Sequence, residues 1–183
     1  MRRLATLMLA GVLVTSPALA TSVKVTTNLG DFTVELNEEK APMTVENFLK
    51  YVDEGAYNGN IFHRVIPNFM VQAGGFDKDL TRLPSHDPVY NESDNGLANT
   101  RGTIAMARTS NPHSATRQFF VNVVDNAYLN GNPGRPGYAV FGEVTDGMDV
   151  VDAIAAQPTT MKNGMGDVPV DTVTIESVVV IND

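Results

Sequence analysis

The amino-acid sequence predicts a mainly β fold, a closed antiparallel barrel covered by two α-helices. Three observations lead there. Only two stretches carry helical periodicity, Ala41–Tyr57 and Asp146–Ala156. Around them lie many short apolar runs separated by Gly, Asn, Pro or Asp. These runs do not alternate regularly with helices, which argues against a doubly wound parallel sheet. A barrel, by contrast, hides its own apolar edges.

The elements follow in chain order. VKVTTNLGDFTVELN, from Val23 to Asn37, reads as a hairpin. Val23, Val25, Phe32, Val34 and Leu36 alternate within its arms, and Asn28-Leu29-Gly30 supplies the turn. The period then changes. In APMTVENFLKYVDEGAY the residues Val45, Phe48, Leu49 and Val52 stand at i, i+3, i+4 and i+7, one face of an amphipathic helix. Pro42 suits its first turn and Gly55 its end. Strand-like pieces follow in IFHRV, FMVQA, GTIAMA, QFFVNVV and YAVFGEV. Asp146–Ala156 returns to helix, with Val150, Val151 and Ile154 as its buried set. VDTVTIESVVVI, from Val170 to Ile181, is a long β-branched strand. Two long irregular stretches remain, Phe76–Thr100 and Asn126–Gly137; loops of the first one's length are usually functional.

The first twenty residues stand apart. MRRLATLMLAGVLVTSPALA has two arginines after Met1, an apolar run from Leu4 to Val14, and an Ala18-Leu19-Ala20 close. That is the pattern of a secretory signal peptide, too short for a membrane span. Residues 1–20 are therefore expected to be removed, and 21–183 to form a single exported domain. The chain has no cysteine, which excludes a disulfide scaffold and thiol chemistry. Its net charge of -8 and the lack of a basic run make it a poor partner for nucleic acid. No later segment is long and apolar enough to span a membrane.

Most chemical motifs are missing. His63, His86 and His113 lie far apart, without metal-ligand spacing. FDKDL lacks the glycine and distal glutamate of a calcium loop, and GNPGRPG lacks the lysine of a phosphate loop. No serine or threonine stands in a nucleophile-elbow context. No cofactor or metal is expected. What stands out is FHRVIPNFMVQAGG, Phe62–Gly75, which sets one arginine, Arg64, among six apolar residues and follows them with Gln72. An arginine there can lay its stem on apolar surface and keep its head wet. It can also aim a fixed donor into an apolar pocket.

FHRVIPNFMVQAGG, GTIAMART, QFFVNV and YAVFGEV, in this order over nearly all of the chain after residue 20, resemble the cyclophilin-type peptidyl-prolyl cis-trans isomerases. The leader, NESDNGLANTRGTIAMART and DNAYLNG are most similar to the periplasmic cyclophilins of Gram-negative bacteria. The resemblance implies an eight-stranded barrel with a helix at each end. It implies a catalytic role for Arg64, with Gln72 holding the substrate backbone. It places Phe69, Met70, Phe120 and Leu129 in the walls of a proline pocket. Ala107 and Arg108 match a strand edge that pairs with the peptide, and Gln118 a polar residue of the groove. Tyr128 stands where many eukaryotic cyclophilins have tryptophan, and Tyr138 where they have histidine. Cyclosporin is therefore expected to bind weakly. The implied partners are proline-containing peptides and unfolded or folding exported proteins, met by a monomer. A proline-peptide binding module or holdase without turnover would need the pocket but not Arg64. A carrier of apolar ligands would need an open barrel lumen.

Overall fold

The computed structural model describes residues 20–181. The leader expected over residues 1–20 lies outside the described residues except for Ala20. The hairpin is formed by β1 (Ser22–Thr27) and β2 (Gly30–Leu36). Helix α1 (Pro42–Asp53) follows, then β3 (Arg64–Ile66) and β4 (Met70–Ala73). After the long loop come β5 (Thr103–Met106), β6 (Phe119–Asn122) and β7 (Val140–Asp146). Helix α2 (Met148–Ala155) leads to a small hairpin, β8 (Thr159–Lys162) and β9 (Met165–Pro169), and the described chain closes on β10 (Ile175–Ile181).

Eight strands form one sheet in the order β10-β1-β2-β7-β5-β6-β4-β3. Every pairing in it is antiparallel. The sheet curls into a half-barrel, and the expected closed barrel is not formed. Among the described residues no ladder joins its edges, β10 and β3; a single bridge, Ile61 to Thr174, and backbone bonds such as Phe62 N to Val173 O (2.9 Å) cross the seam. The bonds that cross run from residues 59–62, before β3 begins, to residues 173–175, so β3 itself lies past the start of β10. Strand β9 lies alongside β3.

Alternation along the strands fixes what is inside. Val65, Val71, Val121 and Ile104 are register neighbours across β3, β4, β6 and β5, and all are fully buried. They meet the apolar faces of both helices, Val45, Phe48 and Val52 from α1 and Val151 and Ile154 from α2. Phe48 is central, with the rings of Tyr57, Phe119 and Phe141 all within 5.7 Å of its own. Glu92, from the long loop, caps α1: its carboxylate accepts the amides of Met43 (3.1 Å) and Thr44 (2.8 Å). That satisfies two otherwise orphaned donors at the positive end of the helix.

Two elements differ from expectation. The β8–β9 hairpin occupies a stretch in which no strand was predicted. Asn163 and Gly164 turn it with φ of 51° and 78°, the pair that a tight hairpin turn requires. The last strand starts at Ile175, and Val170–Thr174 is a connection.

Candidate active site

The outward face of the same four strands builds a cleft. Arg64 on β3 is the register partner of Gln72 on β4, Gln72 of Phe120 on β6, and Phe120 of Ala105 on β5. Successive residues of a strand point to opposite faces. Arg64 therefore points out where Val65 points in, and its apolar sequence neighbours belong to two different cores. The outer core is small: Met70, Ala105, Phe120 and Val140 are buried there, with Ile66, Phe69, Leu97, Leu129 and Tyr138 packed around them.

The cleft over this floor has a volume of about 310 Å³. Nine of the eleven residues singled out in the sequence line it: Arg64, Phe69, Met70, Gln72, Ala107, Arg108, Phe120, Leu129 and Tyr138. The other two stand one contact away. Gln118 accepts a hydrogen bond from Gln72 Nε2 (2.9 Å) and so fixes the amide that faces the cleft. Gly75 makes room for it, since a Cβ there would come within 2.5 Å of the Gln118 side chain. Tyr128 is 62 % exposed and stacks on Phe69 from outside, centroids 5.8 Å apart, so it extends the rim. Strand β5 lies between β6 and β7, so an open edge at Ala107 and Arg108 exists only past its end. The Ala107 amide is already bonded to Gln118 O (2.9 Å). The Arg108 side chain ties down the rim: Nη2 donates to Pro136 O, Nε donates to Gly137 O, and the guanidinium lies 4.7 Å from the Tyr138 ring centre.

An asparagine network that the sequence did not single out holds the loops around the cleft. Asn126 Nδ2 donates to Phe69 O (2.9 Å) and to Asn122 Oδ1 (2.8 Å). Asn122 Nδ2 donates to Thr103 Oγ1 and Asn99 Oδ1, and Asn99 Nδ2 to Asn130 Oδ1. Phe69 and Leu129, two walls of the pocket, thus hang from one buried polar chain; such networks rigidify when every member is satisfied. Their only sequence signal is the density of asparagine in the two long loops.

Electrostatically two cations line the cleft, Arg64 and Arg108, and the Arg108 guanidinium is taken up by the carbonyls of the rim. Arg64 Nε lies 3.7 Å from Asp167 Oδ2 on β9. Behind Arg64 sits His63, 3 % exposed, its Nδ1 without a partner among the described residues. Burial drives its pKa from 6.5 to about 4; the Ile61 backbone and the Gln118 side chain oppose that shift, and the Arg64 charge adds to it. The imidazole is therefore neutral at pH 7. A larger depression, about 530 Å³, runs along α1 between Glu38, Pro42, Leu49 and Glu54, and none of the singled-out residues lines it.

This arrangement offers no nucleophile and no acid–base pair. It can grip a small apolar ring and present a hydrogen-bond donor that keeps its proton. The family model of the cyclophilin type peptidyl-prolyl cis-trans isomerases matches residues 22–180. A peptidyl-prolyl cis-trans isomerase of Acinetobacter baylyi is 54 % identical over 173 residues, covering 94 % of this chain and 92 % of its own. Peptidyl-prolyl cis-trans isomerase B of Escherichia coli is 54 % identical over 157 residues, covering 84 % and 96 %. Among solved structures, a cyclophilin type isomerase of Cryptosporidium parvum in the presence of the dipeptide Ala-Pro aligns with TM-score 0.70 at 27 % identity, over 88 % of this chain and 99 % of that one.

Proposed function

The chain belongs to the cyclophilin-type peptidyl-prolyl cis-trans isomerases and is an enzyme of that kind; we propose that Arg64 carries the step and that the substrates are exported proteins whose folding it assists. Rotation about a peptide bond faces a barrier of ~18–20 kcal/mol because resonance gives C–N partial double-bond character. At X–Pro bonds it takes tens to hundreds of seconds unaided, slow enough to limit folding. A catalyst of rotation forms no covalent bond; it binds the twisted bond better than either planar form.

The observation that carries the assignment is the cross-strand row of Arg64, Gln72 and Phe120 over an apolar floor. In the twisted state the prolyl nitrogen regains its lone pair and becomes an acceptor. A guanidinium N–H beside it stabilises that state alone. Phe120, Met70, Phe69 and Leu129 hold the pyrrolidine ring and exclude water, which strengthens the hydrogen bond. Gln72, fixed by Gln118, holds the neighbouring carbonyl so that rotation is confined to one bond. Ala107 and Arg108 border the path of the peptide. The substrates are proline-containing segments of unfolded or folding chains.

Export rests on the leader, MRRLATLMLAGVLVTSPALA, and the periplasm on the likeness of its later segments to periplasmic cyclophilins. Two experiments test the reading. A protease-coupled assay of X–Pro rotation should show acceleration by residues 21–183 alone. N-terminal sequencing of the protein recovered from the periplasm should begin at Thr21; a chain still starting at Met1 would remove the export claim.

A further inference from the structure

An arginine side chain is long and rotameric, so a catalytic guanidinium needs something to hold its direction. The charged partner that Arg64 finds is Asp167, whose Oδ2 lies 3.7 Å from Nε. That distance makes an ion pair without taking up an N–H. The contact comes through Nε, on the stem side, and leaves both Nη groups for the cleft.

The backbone at Asp167 is unusual in its own right. Its φ is 61°, in the left-handed region that side-chain-bearing residues adopt at a cost. The hairpin turn at Asn163-Gly164 accounts for the positive φ of those two residues, but Asp167 lies inside β9. There the β8–β9 register slips: Thr160 pairs with Val168 and Lys162 with Met165, so that Met161 alone faces Gly166 and Asp167. This is a β-bulge, a device that re-aims a side chain and recurs beside active sites. The residues after it are anchored. Val168 and Pro169 are buried, and Lys162 Nζ donates to the carbonyls of Pro169 (2.9 Å) and Val170 (2.8 Å). The bulge therefore sits on a fixed base and turns one carboxylate toward β3.

We propose that Asp167 is a positioning residue for Arg64, and that the β8–β9 hairpin serves the isomerase by delivering this carboxylate to the guanidinium. The inference rests on the assignment of Arg64 as the donor to the twisted bond. Asp167 touches no substrate. It narrows the orientations of Arg64 toward those that reach the prolyl nitrogen, so its effect falls on turnover and not on peptide affinity. Both side chains are nearly half exposed, at 43 % and 47 %, which limits the effect: exposed pairs are worth up to a factor of about five.

The test is a double-mutant cycle in the full chain, read as kcat and KM in the X–Pro assay and as unfolding midpoint. Asp167→Asn should lower kcat by about fivefold, with KM unchanged. Asp167→Glu should recover part of the loss. Asp167→Gly adopts the same φ without strain, so it should be at least as stable as wild type and still slow. Raising salt to ~1 M should shrink the gap between wild type and Asp167→Asn by screening the pair. In an Arg64→Ala background, Asp167→Asn should cost nothing further. If Arg64→Ala is slow while Asp167→Asn turns over at the wild-type rate, or slows Arg64→Ala by the same factor as wild type, the positioning role is wrong and the role of Arg64 stands. If Arg64→Ala itself keeps wild-type activity, both fall together.

Discussion

Acid should loosen this protein through His63, the residue immediately before Arg64. The imidazole is 3 % exposed, and its pKa falls from 6.5 to about 4 chiefly because burial disfavours its charged form. The sign follows from the folded value being the lower one for a base. Above pH 6.5 the group is neutral in both states, and its contribution is fully present. As pH drops from 6.5 toward 4 the unfolded chain takes up a proton that the folded chain refuses, and stability is lost. The interval spans 2.5 pH units, so at 1.36 kcal/mol per unit the full loss is about 3 kcal/mol. Some 2 kcal/mol of it, by the same linkage, should be gone by about pH 5. Denaturant unfolding of wild type and His63→Gln at about pH 7.5 and pH 5 measures the difference. Other acid-sensitive groups, among them Asp152 with its carboxyl held low by Arg101, are common to both proteins and cancel. Wild type should lose about 2 kcal/mol more than the variant over this range. Equal losses would refute the reasoning and mean that water or a moving side chain reaches the imidazole.

The remaining predictions concern the cleft. Phe120→Ala removes a buried ring that stands edge-on to Tyr138, and should cost about 3 kcal/mol of stability while weakening peptide binding and kcat/KM together, as read by unfolding and peptide titration. Asn126→Ala strands Asn122 Oδ1 and leaves Phe69 O with the Val123 amide alone, and should cost about 2 kcal/mol, with a rise in KM as the Phe69 wall loosens. Tyr128 is a rim residue with no indole N–H to donate into the groove, so cyclosporin should inhibit weakly; Tyr128→Trp should recover part of the potency, and equal inhibition of the two forms would contradict this.

Much of the site was legible because it is local. FHRVIPNFMVQAGG supplies two adjacent strands and the turn between them, so Arg64, Phe69, Met70 and Gln72 were bound to lie near one another. The helices and the first hairpin were legible for the same reason, since periodicity reports a face before its partner is known. What escaped depends on long-range pairing. Asp167 lies over a hundred residues from Arg64, and only the bulge in β9 turns it inward. That hairpin did carry a signal in Asn163-Gly164, but the exposed, mixed TTMK lacks the alternation that announces a strand. Closure was overestimated because strand counting cannot see that β3 begins only after the chain has crossed the start of β10. Tyr128 and Gln118 sit one layer out from the cleft because side-chain direction, not sequence order, decides which residue lines a wall.

The role of Arg64 is tested most directly by measuring isomerase turnover and peptide affinity side by side for wild type and Arg64→Ala, with fold verified. On the proposed mechanism the pocket walls bind planar and twisted forms alike, whereas the arginine hydrogen bond matures only during rotation. One donor in a water-excluded site is worth about 3 kcal/mol, by analogy with oxyanion holes, so turnover should fall by roughly two orders of magnitude while affinity stays nearly constant. Arg64→Lys should recover little, since the ammonium is more strongly hydrated and lacks the planar fork. Near-normal turnover in a folded Arg64→Ala would show that the guanidinium only keeps its head in water beside the cleft, and that rotation is accelerated by something else.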